Sequence, residues 1–278
     1  AAACKQIMDY GDNAIDPDYQ KLFYPSGAES SEHIFAAQYV DDLAGIGLPQ
    51  HAWPIKDGGW CLVNGANHLF EAYDFMNGDP FSYADTRFNK QNFGENRDPR
   101  LDYTMIYDGA TFRGTVYDCD PETTTADKIG PRQTTQTGYL LRKFFDESWS
   151  GDINAYGCNI PLVRYADVLL MYLEAKLRAG DPIDQALLNE TINKVRGRAS
   201  VNMPPLTETN PDKLMKLIQK ERMIELAFEG WRLWDLFRWG IAEERLNMDI
   251  YGSPFYISNQ ELMKKKDGQR DPFDRWYV

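Results

Sequence analysis

Residues 221–240, which read ERMIELAFEGWRLWDLFRWG, give the strongest structural signal in this chain of 278 residues. Acidic and basic side chains recur in this stretch every three or four positions, a spacing that brings neighbours together on a helix. Their apolar neighbours indicate that the region is one buried helical segment. An unpaired buried ion costs several kcal/mol, so we expect these charges to pair. Trp231, Trp234 and Trp239 are predicted to lie in the core rather than to form a ligand platform.

Glu225 and Glu229 allow two interpretations. As functional groups they would be the acid and base of a glycosidase, which holds two carboxylates about 5 to 9 Å apart across a sugar ring. As structural groups they would pair with Arg164, Arg222 and Arg232. Arginines interleaved with the acids would hold both carboxylates ionised, which favours the structural interpretation.

Helical patterns also precede this stretch. Residues 162–179 are predominantly apolar and end at Gly180, so they predict a helix covered on most sides. The same period over residues 184–199 predicts an antiparallel partner helix. Asn210 and Pro211 then provide an N-cap and a first helical residue for a long helix. These elements predict a mostly α-helical scaffold of tetratricopeptide-like helix pairs.

The first part of the chain has a different pattern. Gly, Pro, Asn and Asp interrupt residues 45–160, which leaves room only for irregular loops, short helices and a few short β-strands. Residues 100–107 alternate with period two, and residues 111–117 follow a turn at Asp108-Gly109, so we expect a β-hairpin there. We therefore predict a loop-rich, ligand-binding part over residues 1–158 and a helical scaffold over residues 159–278.

Composition limits the possible functions. The chain is 43% hydrophobic and 26% charged, an ordinary globular balance. Its formal net charge of −12 repels phosphate backbones and anionic lipid, so nucleic acid is not an expected partner. No apolar run approaches the roughly 20 residues of a membrane helix.

The first residues predict that the chain is a fragment. Residues 1–8 lack the regions of a secretory signal peptide and have no N-cap. They have the pattern of the tail of an amphipathic helix, and Gly11 stands where such a helix would stop.

Cysteine, histidine and aspartate spacing predicts neither a metal site nor a cofactor. The four cysteines are far apart, and their spacing is compatible with disulfides or with buried free thiols. The three histidines are dispersed. The loop aspartates lack EF-hand spacing, so turn-capping or solvated roles are favoured over calcium binding at Asp79, Asp85, Asp98, Asp118 and Asp120.

Four segments together resemble the SusD/RagB family of outer-membrane nutrient-binding lipoproteins. They are the stretch at residues 221–240, RYADVLLMYLEAKLRAG at residues 164–180, LLNETINKVRGRAS at residues 187–200 and NRDPRLDYTM at residues 96–105. The order and approximate spacing of these segments agree with the family pattern.

The resemblance implies a surface protein without catalytic activity. Family members are exported lipoproteins of Gram-negative bacteria that cover a SusC-like TonB-dependent outer-membrane transporter. They have a tetratricopeptide-like scaffold, and their loops bind glycans or, in some relatives, peptides. Against that pattern we expect the N-terminal helices, the lipid-bearing cysteine and a final C-terminal segment to be absent here, and Cys4 is not predicted to be the lipidation site.

Candidate ligand contacts come from chemistry, because the family's contacts do not lie in these motifs. A sugar ring needs an exposed aromatic face beside polar side chains. Large aromatics in glycine-rich loops, with their polar neighbours, are the best candidates: Trp53, Trp60, Asn64, Phe112, Arg113, Tyr117, Trp149 and Tyr156.

We therefore predict a non-enzymatic cell-surface protein that captures oligosaccharides and delivers them to a SusC-like transporter. A peptide-binding surface lipoprotein of the RagB type is the first alternative. A glycan-degrading enzyme would need two free carboxylates in a cleft. A helical-repeat adaptor that binds only protein would bury the aromatics in all of its loops.

Overall fold

The computed structural model describes residues 1–131 and 133–278. The α-helices of those residues are α1 (Ala2–Tyr10), α2 (Leu48–Ala52), α3 (Asn67–Ala72), α4 (Arg100–Thr104), α5 (Tyr165–Arg178), α6 (Gln185–Glu190), α7 (Ile192–Arg196), α8 (Pro211–Glu225), α9 (Arg232–Trp239) and α10 (Ala242–Leu246). The strands are β1 (His33–Ala37), β2 (Met105–Ile106), β3 (Thr111–Phe112), β4 (Thr115–Val116), β5 (Leu140–Leu141), β6 (Ile160–Arg164), β7 (Tyr251–Pro254) and β8 (Arg275–Tyr277). They form antiparallel pairs, β1 with β6, β2 with β5, β3 with β4 and β7 with β8. This helix-rich fold with irregular loops and short strands confirms the predicted fold class.

Helix α5 is the centre of the helical scaffold, and α1, α7 and α8 pack against it. Its residues Leu169 and Leu173 are fully buried with Ile192 of α7 and Ile218 of α8. Such burial of several aliphatic side chains supplies most of the stability of helices this short, because isolated helices are marginal in water.

The start of α8 and the end of α1 confirm two sequence predictions. The side chain of Asn210 accepts a hydrogen bond from the Lys213 amide at 3.2 Å, and Pro211 is the first helical residue. Helix α1 ends at Tyr10, and Gly11 caps it with a φ of 81°, in the left-handed region that favours glycine.

Two aromatic cores lie beneath the loops. One contains Trp53, Phe112 and Tyr156 and extends to Trp276 near the end of the chain. The other surrounds the buried Phe70. Because the first core includes residues from both ends of the chain, the loop-rich part and the later residues pack together.

The predicted hairpin is wrong in its position. Residues 100–104 form helix α4 instead of a strand. Asp98 holds the start of this helix: its carbonyl accepts from the Leu101 amide at 2.9 Å and its side chain from the Arg100 amide at 3.0 Å. Strand β2 follows α4 and pairs with β5. The hairpin is formed by β3 and β4, and its turn lies at Arg113 and Gly114 rather than at Asp108-Gly109.

Residues 221–240 do not form one helix. Helix α8 ends at Glu225 and α9 begins at Arg232. Between them Phe228 and Gly230 have φ values of 62° and 85°, which a right-handed helix does not allow. Two further boundaries differ: residues 160–164 are strand β6 before α5, and Thr191 interrupts the helix predicted over residues 184–199.

The prediction that all three tryptophans of this stretch lie in the core is also wrong. Trp234 is 65% exposed, and Trp231 and Trp239 are partly buried. Helix α9 is amphipathic, and it buries Asp235 and Leu236 while Trp234 and its neighbour one turn away, Phe237, face outward. The buried side of α9 therefore carries a charged residue, Asp235, while two aromatic rings lie on its exposed side.

Over residues 1–131 and 133–278, every helix is too short or too polar to cross a lipid bilayer.

Candidate ligand-binding site

The charged residues of α8 and the turn after it form a buried ion network rather than an open cleft. Glu225 is completely buried and accepts hydrogen bonds from Arg100 at 2.9 Å, Arg164 at 2.8 Å and Arg198 at 2.9 Å. Glu32 completes this centre by accepting from Arg164 and Arg198, each at 2.6 Å. These residues come from five separate segments of the chain, so the network connects the loops to the helices.

Glu229 is held in the same way. Its carboxylate accepts from Arg164 at 2.7 Å and from Lys143 at 2.6 Å, and its side chain is 1% exposed. Burial lowers the pKa of Lys143 to about 8, and Glu229 opposes that shift. The Lys143 ammonium also donates to the Tyr19 hydroxyl at 2.8 Å. Lys143 and Glu229 are therefore both occupied by contacts within the protein.

The electrostatics of the network decide what Glu225 and Glu229 can do. Burial alone would raise the pKa of Glu225, but Arg164, Arg198 and Arg100 outweigh it and hold that pKa far below its ordinary value. Arg164 and Lys143 likewise outweigh burial at Glu229 and lower its pKa. A carboxylate that stays ionised and buried has no proton to give to a leaving group. The network is therefore suited to hold segments of the fold together rather than to transfer protons.

Half of the predicted contact residues lie in the core. Trp53, Phe112, Tyr117 and Tyr156 are each at most 2% exposed. Their ring faces are covered by protein, so in this structure they have no surface on which a sugar ring could stack. Ligand contact by any of the eight residues remains a prediction.

Trp149 and Arg113 join this aromatic cluster at its edge. The Arg113 guanidinium lies 4.3 Å from the centre of the Trp53 ring and donates to the Trp149 carbonyl at 2.7 Å. The partly buried Trp149 ring meets Trp53 and Tyr156 edge to face, and its indole N–H donates to Asp41 at 3.1 Å. These contacts fix the position of the loop that carries Trp149.

Asn64 connects two loops. Its side-chain nitrogen donates to the Cys61 carbonyl at 2.7 Å. Its side-chain oxygen accepts from the Thr135 hydroxyl at 2.7 Å and from the Gln136 amide at 3.1 Å. Because both ends of the amide are occupied, Asn64 acts here as a loop tether.

Trp60 is the predicted aromatic that presents its ring to solvent. It is 48% exposed, and its ring packs edge to face against His51 with 5.3 Å between ring centres. The neighbouring Leu62 is 61% exposed. Backbone hydrogen bonds from Trp60 to Gln50 at 2.8 Å and from Leu62 to His51 at 2.7 Å hold this edge of the loop.

The loop aspartates also have structural partners. Asp79 and Asp85 accept from Arg87 at 2.8 and 2.9 Å, Asp98 is buried against Arg100, and Asp120 caps a turn through the Glu122 amide. Within the part of the chain that the structure describes, no three His, Cys, Asp or Glu side chains are grouped as they would be around a metal ion.

Among the cavities that open on the surface of the described residues, two differ in character. The larger, about 950 Å³, lies between α3, α8 and the α9–α10 region and is lined by more apolar than polar surface, including Leu69, Met223 and Leu236. The smaller, about 500 Å³, is predominantly polar and includes Asp102, Tyr103 and Arg142. Sequence reasoning did not find the polar cavity, because its lining comes from separate segments and contains no tryptophan. The RDPRL motif at residues 97–101, which ends immediately before Asp102, is the sequence feature that could have indicated this cavity.

The chain is similar to known proteins along most of its length. A family model described as the SusD family matches residues 31–278. A SusD-like protein from Formosa agariphila is 40% identical over 90 residues, which make up 31% of this chain and 18% of that protein.

Solved structures share the fold. A SusD-like carbohydrate-binding protein from Bacteroides fragilis is 48% identical with a TM-score of 0.95, over 100% of this chain and 55% of that one. Another SusD-like protein from the same species is 26% identical with a TM-score of 0.74, over 92% of this chain and 53% of that one. Surface glycan-binding protein A from Bacteroides thetaiotaomicron, solved with laminarihexaose, has a TM-score of 0.58 at 22% identity, over 93% of this chain and 54% of that one. This chain spans about half the length of these structures.

Proposed function

Because the chain belongs to the SusD family, we propose that the protein carrying it binds oligosaccharides at the cell surface and passes them to a SusC-like TonB-dependent transporter. The observation that supports this most directly is the likeness to the Bacteroides fragilis carbohydrate-binding protein, with 48% identity over the whole of this chain. That relative is described as carbohydrate-binding, which is the basis for proposing a glycan rather than a peptide as the ligand.

Trp60 is the residue that we propose as an aromatic platform. Sugar rings stack their C–H faces on exposed aromatic rings, and Trp60 combines exposure with a ring braced by His51. Trp149 and Arg113 lie beside Trp53, and both side chains are partly buried. We propose that Trp53, Phe112, Tyr117 and Tyr156 support these loops from beneath.

We propose that the protein is not an enzyme. Glu225 and Glu229, the two carboxylates that could have been the acid and base of a glycosidase, are buried and paired with arginine and lysine. A glycoside hydrolase needs one carboxylic acid with a raised pKa beside the sugar, and the pKa values of both residues are lowered.

The test is calorimetric titration of the intact protein with a panel of neutral hexasaccharides, followed by analysis of the recovered sugar. We expect saturable binding with the sugar recovered intact, and at least a tenfold loss of affinity in Trp60→Ala, at the order of magnitude of one lost stacking contact. Trp234→Ala is the matched control, because Trp234 is also exposed but lies on α9.

The other outcomes separate the alternatives. Cleaved sugar would identify an enzyme. Absence of binding to every glycan, together with binding to peptides, would support the RagB-type alternative. The transporter step is tested separately by affinity purification of the intact protein from membranes, where co-purification of a TonB-dependent transporter is expected.

A further inference from the structure

The polar cavity of about 500 Å³, here called the polar recess, is a second place at which this chain has the chemistry of a saccharide site. Six of its lining residues carry the argument: Gln20, Gln91, Asn92, Asp102, Tyr103 and Arg142. Its volume lies within the range of about 300 to 1,000 Å³ that small-molecule sites occupy.

The floor of the recess is built on regular structure. Asp102 and Tyr103 are on α4, and Arg142 directly follows β5. The Arg142 amide donates to the Thr104 carbonyl at 2.9 Å, which joins these two elements. Asp102 also accepts from the Tyr107 hydroxyl, and that bond fixes the orientation of its carboxylate. Groups held in this way lose little conformational freedom when a ligand binds.

The rim supplies amides that are free to bind. The side chains of Gln20, Gln91 and Asn92 make no hydrogen bond to any residue that the structure describes, while their backbones are held in turns. Each amide provides two donors and one acceptor. Sugar hydroxyls both donate and accept, so side-chain amides at the rim match them.

The charge of the recess selects among saccharides. The Arg142 guanidinium is paired with Glu147, at 2.6 and 2.8 Å, so its positive charge is already compensated. Asp102 adds a carboxylate that no cation contacts within the described residues. The net charge of Asp102, Arg142 and Glu147 is therefore negative, and so is the formal net charge of the whole chain, −12. Anionic sugars such as uronates would be repelled.

Glu147 connects the recess to the loop cluster that contains Trp53, Arg113 and Trp149. One carboxylate oxygen accepts from Arg142, and the other accepts from the Arg113 amide at 2.9 Å. Arg113 in turn donates to the Trp149 carbonyl. The recess and the loop cluster thus share one network of polar contacts.

From this arrangement we propose that the polar recess binds one or two residues of a neutral saccharide through Asp102, Tyr103 and the rim amides. The assignment rests on the proposed function and adds to it a second subsite and a class of ligand. An oligosaccharide that occupies this subsite has neutral sugar residues there, even if other parts of the oligosaccharide are charged.

The experiment compares laminarihexaose and maltohexaose, which are neutral, with hexagalacturonate, which is anionic, by calorimetry on the intact protein. We expect a neutral hexasaccharide to bind and hexagalacturonate to bind at least about tenfold more weakly. Gln91→Ala combined with Asn92→Ala removes two hydrogen-bonding side chains, so affinity for the neutral probe should fall about 5- to 100-fold. Asn247→Ala, an exposed amide on another surface, is the control and should bind like the parent protein.

Asp102→Asn keeps the size of the side chain and removes its charge. In this variant the ratio of the affinity for the neutral probe to the affinity for hexagalacturonate should be smaller than in the parent protein. Unchanged affinity in the double variant, together with weaker binding in Trp60→Ala, would overturn the recess assignment and leave the proposed function standing. Tighter binding of hexagalacturonate by the parent protein would overturn the assignment of a neutral ligand. Failure of both neutral probes to bind would overturn the recess assignment, and failure of the wider panel would also overturn the proposed function.

Discussion

The Arg164 guanidinium lies 2.8 Å from the Glu225 carboxylate, although the two residues are 61 positions apart in the sequence. Arg164 is the last residue of β6, and Glu225 is the last residue of α8. Both side chains are at most 1% exposed. The pair therefore fixes the end of a strand against the end of a helix at the place where loops and scaffold meet.

Glu225→Gln should destabilise the protein strongly. The substitution leaves Arg100, Arg164 and Arg198 crowded together with one negative charge fewer, and breaking a buried pair costs about 3 to 5 kcal/mol. The free energy of unfolding from urea titration measures this. Lys5→Ala, which removes an exposed pair with Asp9, is the control and should lower the free energy of unfolding far less, because ion pairs at the surface contribute little. Equal costs for the two variants would show that the buried network does not stabilise the fold.

Acid should unfold the protein through the same network. The pKa values of Glu225 and Glu229 are lowered in the folded state, so at low pH the unfolded chain binds more protons than the folded one. Their stabilisation is therefore present above the ordinary glutamate pKa of about 4.3 and is lost as the pH falls below it. Urea midpoints measured from pH 7 to pH 3 should decrease, and less steeply in Glu225→Gln. A rise in midpoint on acidification would contradict this assignment.

The sequence predicted the charge pairing but only one of the partners of Glu225 and Glu229, since Arg222 pairs instead with Asp167 and Asp235. Spacing within residues 221–240 indicated buried ion pairs, and Arg164 was expected among the partners. Arg100, Arg198 and Glu32 could not be inferred, because only the folded chain brings those segments to Glu225. The break at Phe228 and Gly230 was missed for a related reason: helical periodicity continues across it, while tertiary contacts decide the backbone angles.

Aromatic residues show the corresponding limit for the site. Glycine-rich loops indicated exposed rings, and Trp60 is exposed, yet Trp53 in the same loop is buried against Phe112, Phe145 and Trp149. Local composition does not say which ring of a loop turns inward, since that depends on what other loops place beneath it.

The four cysteines are unpaired in the structure, which favours free thiols over the disulfides that their spacing also allowed. Cys61, Cys119 and Cys158 are buried, and burial raises the pKa of each, to about 12 for Cys61 and Cys158. Since the thiolate is the reactive form, a thiol reagent should label only the partly exposed Cys4 rapidly in the native protein.

Counting thiols with Ellman's reagent, without reductant, checks that prediction. Of the four thiols of this chain, one should react rapidly in buffer and all four should react in guanidinium chloride. Cys4→Ser should abolish the rapid phase. A count of two in denaturant would reveal a disulfide instead.

Trp53 and Trp60 lie seven residues apart and should respond to substitution in opposite ways. Trp53→Ala removes a buried ring that meets three other aromatic rings and supports Arg113, so it should cost about 3 to 5 kcal/mol of stability. Trp60→Ala removes a ring that is 48% exposed, and its cost should stay within about 1 kcal/mol. Urea titration gives both stabilities, and calorimetry with the neutral hexasaccharides gives the affinities. If Trp60 is the platform, its variant loses affinity while retaining the stability of the parent protein. A Trp60→Ala variant that instead loses stability as Trp53→Ala does would place Trp60 among the loop supports and remove it from the ligand surface.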